Sequence, residues 1–269
     1  MLAEVERYGA DLVRFQVSQA GLDPQSKTYD PGYRDDVLDA VALTRAAGLN
    51  VIVSMRLALT GPREPVHLPT ATTRRAWRTL AGEVGGDRGI LLEIFNEPSV
   101  NPRTRAEWKP WQKSMQSVID VLRRAGAENV LLVGGAQYAR SFADAPLLDD
   151  PLGQIGYAVH PYLGEHNQTR TQWQRKFGDL ARTHPVMATE FNAQAGGSYC
   201  RPELAEQTAD LLEYLRQQRI GLVAWALDMP NLREPDGGYT TLDHLVCGQR
   251  NAGGQGGAGQ MIHEYFLEY

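Results

Sequence analysis

Short apolar runs alternate with longer amphipathic stretches along the whole chain. The short runs are rich in Val, Ile and Leu and are bounded by turn residues, a pattern typical of buried β-strands. They predict seven strands, at residues 11–17, 50–55, 90–95, 129–133, 155–160, 185–189 and 220–226.

The longer stretches between these runs carry apolar side chains at helical spacing. They predict helices at residues 2–8, 33–48, 70–84, 107–124, 171–183, 202–219 and 261–266. Strands that alternate with helices form a parallel sheet covered on both faces. A chain of 269 residues suits one barrel of about 250 residues. We therefore predict an α/β fold, a TIM (β/α)8 barrel, with residues 1–269 as a single domain.

One element of such a barrel has no counterpart in the sequence. A closed barrel needs eight strands, but we find seven, and the chain opens on the predicted helix at residues 2–8. We therefore expect the first β-strand to be missing, which would leave two strands with unpaired edges. The gap is expected to be open, or covered by a rearranged segment or a neighbouring chain.

Polar and aromatic side chains stand where the predicted strands end. The functional residues of barrels of this kind lie at these ends, in the loops that lead into the helices. Glu97 and Glu190 are two isolated carboxylates, which suit glycoside hydrolysis: one protonates the leaving oxygen while the other attacks the anomeric carbon or activates water. The candidate site residues are Arg14, Arg56, Asn96, Glu97, His160, Tyr162, Glu190 and Trp225.

Each candidate also has a purely structural interpretation. Glu97 could be a surface carboxylate, and Glu190 could be a charge at a helix N-terminus. His160 and Trp225 could be core residues, and Arg56 could form only a structural ion pair. Glu93, within a strand, is expected to be a structural partner and not a catalytic group.

Three motifs in order resemble those of glycoside hydrolase family 5, the cellulase family. Asn96-Glu97-Pro98 resembles its Asn-Glu-Pro motif, His160-Pro161-Tyr162 its His-x-Tyr motif, and Thr189-Glu190-Phe191 its nucleophile segment. The resemblance implies a (β/α)8 enzyme that retains configuration, with Glu97 as general acid/base and Glu190 as nucleophile.

The resemblance also implies supporting roles. Asn96 would hydrogen-bond the sugar 2-hydroxyl group, an interaction that strengthens in the transition state. Tyr162 would hold the carboxylate of Glu190, and His160 would lie beside Glu97.

Two further residues follow the family and one departs from it. Arg14 resembles the family's arginine and would favour the charged form of Glu190. Trp225 resembles its aromatic residue and would stack on the sugar. Arg56 stands where the family usually has a histidine, and a guanidinium is a fixed cation with a rigid set of donors. This departure leaves the identity of the sugar at the cleaved bond open.

Charge and composition narrow the classes of partner. The net charge of −5 and the isoelectric point of about 5.7 argue against nucleic acid, which binds basic surfaces. No apolar run reaches the 18 residues of a membrane span. Trp108 and Trp111, beside Arg103 and Lys109, are therefore interpreted as a sugar-binding wall, with helix packing as the alternative. We expect an oligo- or polysaccharide substrate.

The two cysteines bear on the compartment. Cys200 and Cys247 are either unrelated thiols or one disulfide between two loops, and a disulfide would indicate an oxidising compartment. A secreted or periplasmic location is predicted, although residues 1–7 lack the apolar region of a signal peptide. The cysteine spacing does not fit a structural zinc site, and we expect no metal and no cofactor.

The function predicted from the sequence is a β-glycoside hydrolase acting on a β-glucan or β-mannan. The alternatives are a transglycosylase, which shares the covalent intermediate, and a catalytically impaired carbohydrate-binding protein of the same fold. A nucleotide-dependent oxidoreductase is disfavoured. Gly254, Gly256 and Gly259 have the GxGxxG spacing but lack the strand and the following βαβ unit that a nucleotide site requires.

Overall fold

Seven β-strands occur in the computed structural model, which describes residues 2–56, 67–193, 202–228, 231–242 and 257–268. Each strand coincides with a predicted apolar run, so the predicted strand positions are confirmed. The strands are β1 (Leu12–Ser18), β2 (Asn50–Arg56), β3 (Ile90–Glu93), β4 (Leu131–Gly134), β5 (Ile155–Val159), β6 (Val186–Phe191) and β7 (Gly221–Ala224).

The predicted helices are confirmed in the same way, and three short helical turns occur besides them: α2, α6 and a 3-10 turn at Arg105–Trp108. The helix predicted at residues 171–183 consists of α7, a π-helical turn (Gln174–Gly178) and α8. The helical segments are α1 (Leu2–Arg7), α2 (Gln19–Leu22), α3 (Pro31–Ala46), α4 (Ala71–Val84), α5 (Lys109–Arg124), the single turn α6 (Ala136–Ala139), α7 (Arg170–Trp173), α8 (Asp179–Ala181), α9 (Leu204–Gln217) and α10 (Gly259–Leu267).

The chain divides into two compact units, one of residues 11–158 and one of residues 1–10 with 159–269. In the first unit, β1 to β5 pair in parallel in chain order. The register places Gln16 opposite Ser54 and Ser54 opposite Glu93. Residues paired in this way share one face of the sheet, so three polar side chains form a row near the carboxyl ends of β1, β2 and β3. In the second unit, β6 pairs in parallel with β7.

Burial distinguishes the strands of the first unit. The five inner residues of β2 are buried, as expected for a strand with neighbours on both edges and helices on its face. In β1, every residue except Val17 is only partly buried. Among the described residues of this unit, β1 pairs with β2 alone, and its exposure agrees with an absent neighbour. Whether the gap left by the missing first strand is open or covered stays a prediction.

Two tryptophans fix helices to the strand ends of the first unit. The indole Nε1 of Trp77 donates to the carbonyl of Ile94 at 2.9 Å, and that of Trp111 donates to the carbonyl of Gly134 at 3.0 Å. Trp108 is 2% exposed and Trp111 0%, with their rings 5.2 Å apart. The prediction of a sugar-binding wall at these two residues is therefore wrong, because both indoles are core residues of the helix–sheet layer.

The segments that follow β7 are held by buried polar groups of the second unit. Asn192, directly after β6, donates to the carbonyl of Asn231 at 3.2 Å and accepts from the amide of Ala258 at 3.0 Å. The hydroxyl of Tyr8 donates to the carbonyl of Leu232 at 3.0 Å, and burial raises the pKa of Tyr8. The N-terminal helix is thus joined to the segment after β7.

Several predictions from the sequence fall outside the described residues. They concern the disulfide between Cys200 and Cys247 and the glycines Gly254 and Gly256. Among the described helices, none is long and apolar enough to cross a membrane. The single catalytic domain stays a prediction.

An ion pair with a buried carboxylate joins α2 to α4 in the first unit. Asp23, which ends α2, accepts from Nε and Nη2 of Arg75 at 2.7 Å each, and it is 1% exposed. These hydrogen bonds hold the pKa of the Asp23 carboxyl below its ordinary value. The two-pronged geometry is the strong form of an arginine–carboxylate contact.

We expect Asp23→Asn to lower the free energy of unfolding by about 1.5–3 kcal/mol at pH 7. Because the pKa is lowered in the folded state, the pair stabilises the protein above the unfolded-state pKa of about 3.9. This contribution is lost as the pH falls through the folded-state value. Urea unfolding at several pH values should show a difference between wild type and variant that is constant above about pH 5 and shrinks below about pH 4.

The matched control is Asp35→Asn, since Asp35 pairs with Arg34 but its side chain is 68% exposed. Surface pairs contribute little, so this variant should unfold like the wild type at every pH. A pH-independent loss in Asp23→Asn would contradict the assigned role of the pair.

Candidate active site

Glu93, at one end of the polar row in the first unit, forms a buried ion pair. Nε of Arg14 on β1 lies 2.6 Å from Oε2 of Glu93 on β3, and the two side chains are 2% and 0% exposed. Nη2 of Arg14 also donates to Oγ of Ser54 at 3.0 Å. The prediction that Glu93 is a structural partner is confirmed, and Arg14 is its counter-charge.

The same guanidinium reaches Asn96, the residue before Glu97. Oδ1 of Asn96 accepts from Nη2 of Arg14 at 2.5 Å and from Nε2 of Gln16 at 3.3 Å. The backbone amide of Asn96 donates to the carbonyl of Met55 at 2.9 Å. Asn96 is 6% exposed, so both its backbone and its side chain are fixed.

Arg56 ends β2 and joins this group through Gln16. Its Nη1 donates to Oε1 of Gln16 at 2.7 Å. In the part of the chain that the structure describes, Arg56 makes no ion pair, which disfavours the interpretation of Arg56 as a structural ion-pair partner. Gln16 lies near the end of the strand predicted at residues 11–17 but was not among the candidate residues, because no local pattern in the sequence indicates its contact with Asn96.

Glu97 is half-buried and begins a loop that is held by the turn α6. The amide of Tyr138 donates to the carbonyl of Pro98 at 2.8 Å, and the amide of Gln137 donates to the carbonyl of Val100 at 2.9 Å. Gln137, Tyr138 and Ala139 have φ values of 59°, 62° and 57°. The backbone after Glu97 therefore rests on three consecutive left-handed residues, none of them glycine.

In the second unit, Glu190 lies near the end of β6 and is 7% exposed. The hydroxyl of Tyr162 donates to its Oε1 at 3.0 Å. Tyr162 is itself held, because its carbonyl accepts from Nδ2 of Asn167 at 2.9 Å and its ring lies 6.2 Å from that of Phe191. The structure therefore brings Tyr162 and Glu190 together as the resemblance implied.

His160 follows β5 and is fully buried, with Nε2 3.2 Å from Oγ1 of Thr189. This contact places the imidazole beside the strand that carries Glu190. Its predicted position beside the general acid/base stays a prediction. Complete burial is also what the core interpretation of His160 requires.

Trp225 follows β7 directly. Its backbone amide donates to the carbonyl of Phe191 at 2.8 Å, and its peptide bond to Ala226 is cis. The residue is partly exposed, in contrast to the fully buried core tryptophans. Part of its surface is therefore available to a ligand, which disfavours the interpretation as simple core packing.

The predicted residues thus fall into two groups, one in each unit. Arg14, Asn96, Arg56 and the added Gln16 form one connected set next to Glu97. In the other unit, Tyr162 contacts Glu190, and His160 contacts Thr189, the residue before Glu190. The backbone amide of Trp225 donates to the carbonyl of Phe191, the residue after Glu190. The set around Glu190 can orient the Glu190 carboxylate through the hydroxyl of Tyr162. The set around Arg14 can orient the side-chain amide of Asn96. The predicted absence of a metal or cofactor stays a prediction.

Solved structures identify the fold. The chain matches XacCel5A with a TM-score of 0.71 at 17% identity, over 100% of this chain and 90% of that one. It matches the β-glucanase SdGluc5_26A of Saccharophagus degradans, solved with cellotetraose, with a TM-score of 0.68 at 20% identity, over 99% and 81%. The protein is thus a (β/α)-barrel protein as predicted, and its seven described strands are consistent with a missing first strand.

The sequence comparison then gives the family. The family model for cellulase, glycosyl hydrolase family 5, matches residues 1–230, and the chain belongs to this family. Cellulase CelDZ1 of Thermoanaerobacterium sp is 25% identical over 219 residues, 75% of this chain and 54% of that protein. The chain spans about half the length, or less, of the curated relatives it matches.

Tyr162→Phe should separate catalysis from stability. The change removes one donor to the Glu190 carboxylate, and a hydrogen bond to a charged group is worth about 1.5–3 kcal/mol. We expect kcat to fall by about 10- to 100-fold while the melting temperature changes little. Tyr29→Phe is the matched control, because Tyr29 lies in the segment between α2 and α3 and is not one of the candidate site residues. An unchanged kcat in Tyr162→Phe would rule out the orienting role.

Proposed function

We propose that the protein is a retaining β-glycoside hydrolase in which Glu190 is the nucleophile and Glu97 the general acid/base. The observation that carries the proposal is the hydrogen bond from Tyr162 to one oxygen of the buried Glu190 carboxylate. A carboxylate fixed by one oxygen presents the other in a defined direction, which favours attack on a bound substrate. Membership of the cellulase family supports the same roles.

The reaction proceeds by double displacement. In the first step, an oxygen of Glu190 bonds to the anomeric carbon as the glycosidic bond breaks, and Glu97 gives its proton to the leaving oxygen. In the second step, Glu97 takes a proton from water. The water oxygen bonds to the anomeric carbon and releases the Glu190 carboxylate. Each carboxyl group returns to its starting form, and the product keeps the configuration of the substrate.

The substrate we propose is a neutral β-linked glucan, with β-mannan as the second polymer to test. Support comes from the cellotetraose bound to the similar β-glucanase of Saccharophagus degradans and from the cellulase name of CelDZ1. Two aromatic rings offer stacking surfaces for sugars: the partly exposed Trp225 beyond β7 and Tyr138, which is 54% exposed. A polymer of this kind also supports a secreted or periplasmic location.

The first test concerns the nucleophile. Glu190→Gly should lose almost all turnover of a dinitrophenyl β-cellobioside, and added azide should partly restore turnover with an inverted glycosyl azide as product. The control Glu206→Ala removes an exposed carboxyl group on α9 and should retain wild-type rates. Normal activity in Glu190→Gly would refute the assignment. Transfer to a sugar acceptor in place of water by the wild type would identify a transglycosylase.

The second test concerns the general acid. Proton donation matters most when the leaving group is poor. Glu97→Ala should therefore slow cleavage of natural β-glucan by about 100-fold or more and slow glycosylation by a dinitrophenyl glycoside far less. Stopped-flow release of dinitrophenol, compared with reducing-sugar release from β-glucan, separates the two steps. Equal losses on both substrates would count against the acid role.

A further inference from the structure

Two arginines enclose a pair of side-chain amides at the ends of β1, β2 and β3. Arg56 donates to Gln16 at 2.7 Å, and Gln16 donates to Asn96 at 3.3 Å. Arg14 donates to the same oxygen of Asn96 at 2.5 Å. We propose that Gln16 and Arg56 are positioning residues that fix the amide of Asn96 toward the sugar 2-hydroxyl group. This inference rests on the proposed function, in which Asn96 donates to that hydroxyl.

The chemistry of the four groups permits one direction of hydrogen bonding only. A guanidinium donates and never accepts. Arg56 therefore requires the oxygen of the Gln16 amide, which turns the Gln16 nitrogen toward Asn96. Asn96 must then present its oxygen to Gln16. Arg14, which also only donates, requires the same oxygen of Asn96. The orientation of both amides thus follows from the donor-only arginines at the two ends.

This orientation determines what Asn96 offers a ligand. Its Oδ1 has two acceptor positions, and the donors of Arg14 and Gln16 occupy them. Among the described residues, Nδ2 of Asn96 donates no hydrogen bond. The amide nitrogen is therefore the group that remains for a substrate. A sugar 2-hydroxyl group can accept from it, and this contact strengthens as charge develops at the anomeric carbon.

The strand register explains why Gln16 and Arg56 can act together. Arg14 and Gln16 are two residues apart on β1 and share one face, as Ser54 and Arg56 do on β2. Gln16 lies opposite Ser54, so Arg56 reaches it from the neighbouring strand. Arg56 stands where the cellulase family usually has a histidine. An imidazole accepts as well as donates and would not impose one orientation on Gln16 by itself.

The test compares two substrates, a dinitrophenyl β-cellobioside and its analogue without the 2-hydroxyl group on the ring at the cleaved bond. Gln16→Met removes the hydrogen bonds to Arg56 and Asn96 in a side chain of similar length. We expect its kcat on the normal substrate to fall by about 10-fold, equivalent to about 1.4 kcal/mol of transition-state stabilisation. On the deoxy analogue the variant and the wild type should agree within about 2-fold, because the contact that Gln16 supports is absent. Equal losses on both substrates would overturn the proposal.

Gln16→Glu gives a second, nearly isosteric variant. It keeps an acceptor for Arg56 but turns an oxygen toward the oxygen of Asn96. We expect a loss at least as large as that of Gln16→Met on the normal substrate, again with little effect on the deoxy analogue. Wild-type kcat in Gln16→Glu would show that donation to Asn96 has no role.

Arg56→Lys and Arg56→Met test the other end of the chain of contacts. Lysine retains a donor for Gln16, so Arg56→Lys should keep more of the 2-hydroxyl-dependent kcat than Arg56→Met. The opposite order would overturn the role of Arg56.

Melting temperatures close to wild type confirm that each variant folds. If Glu97→Ala and Glu190→Gly retain full activity, the proposed function fails; if they are inactive and all Gln16 variants match the wild type, the positioning inference alone fails.

Discussion

The ion pair between Arg14 and Glu93 is the contact on which the candidate site residues of the first unit depend. Both side chains are almost fully buried, so each charge has exchanged water for its partner and a few hydrogen bonds. Removing one member of such a pair typically costs about 3–5 kcal/mol, because the other charge stays buried. Arg14 also contacts Ser54 and Asn96. One guanidinium thus ties three strands together and fixes the residue next to Glu97.

The sequence predicted the strands and most members of the candidate site because both follow from local patterns. Apolar runs bounded by turn residues located all seven strands, and strand ends located Glu97 and Glu190. Trp108 and Trp111 were misassigned, because an aromatic residue after a strand end has the same sequence signature whether it faces a ligand or the core. The role of Gln16 had no local signature. Its partners Arg56 and Asn96 lie 40 and 80 residues away in sequence, and only the strand register brings them together.

Family membership and local chemistry account for different features of the candidate site. Residues 1–230 match the cellulase family as a whole, and the contact of Tyr162 with Glu190 follows the family's motifs. The sequence predicted that Arg56 replaces a histidine usual in the family, and in the structure Arg56 contacts Gln16 at 2.7 Å. The proposed reaction therefore depends on residues that the chain shares with its family. The orientation of Asn96 depends on its contacts with Arg14 and Gln16, and Gln16 is held in turn by Arg56.

The left-handed turn at Gln137, Tyr138 and Ala139 has a consequence for any effort to alter this protein. A non-glycine residue in this conformation costs about 1–2 kcal/mol, and the cost is offset by the backbone hydrogen bonds to Pro98 and Val100. Libraries of variants that aim to change substrate preference would naturally include Tyr138. Branched side chains there would strain the turn further and shift the loop that begins at Glu97. Asparagine or glycine would preserve the left-handed backbone conformation. Fewer residue types are therefore tolerated at this position than its exposure suggests.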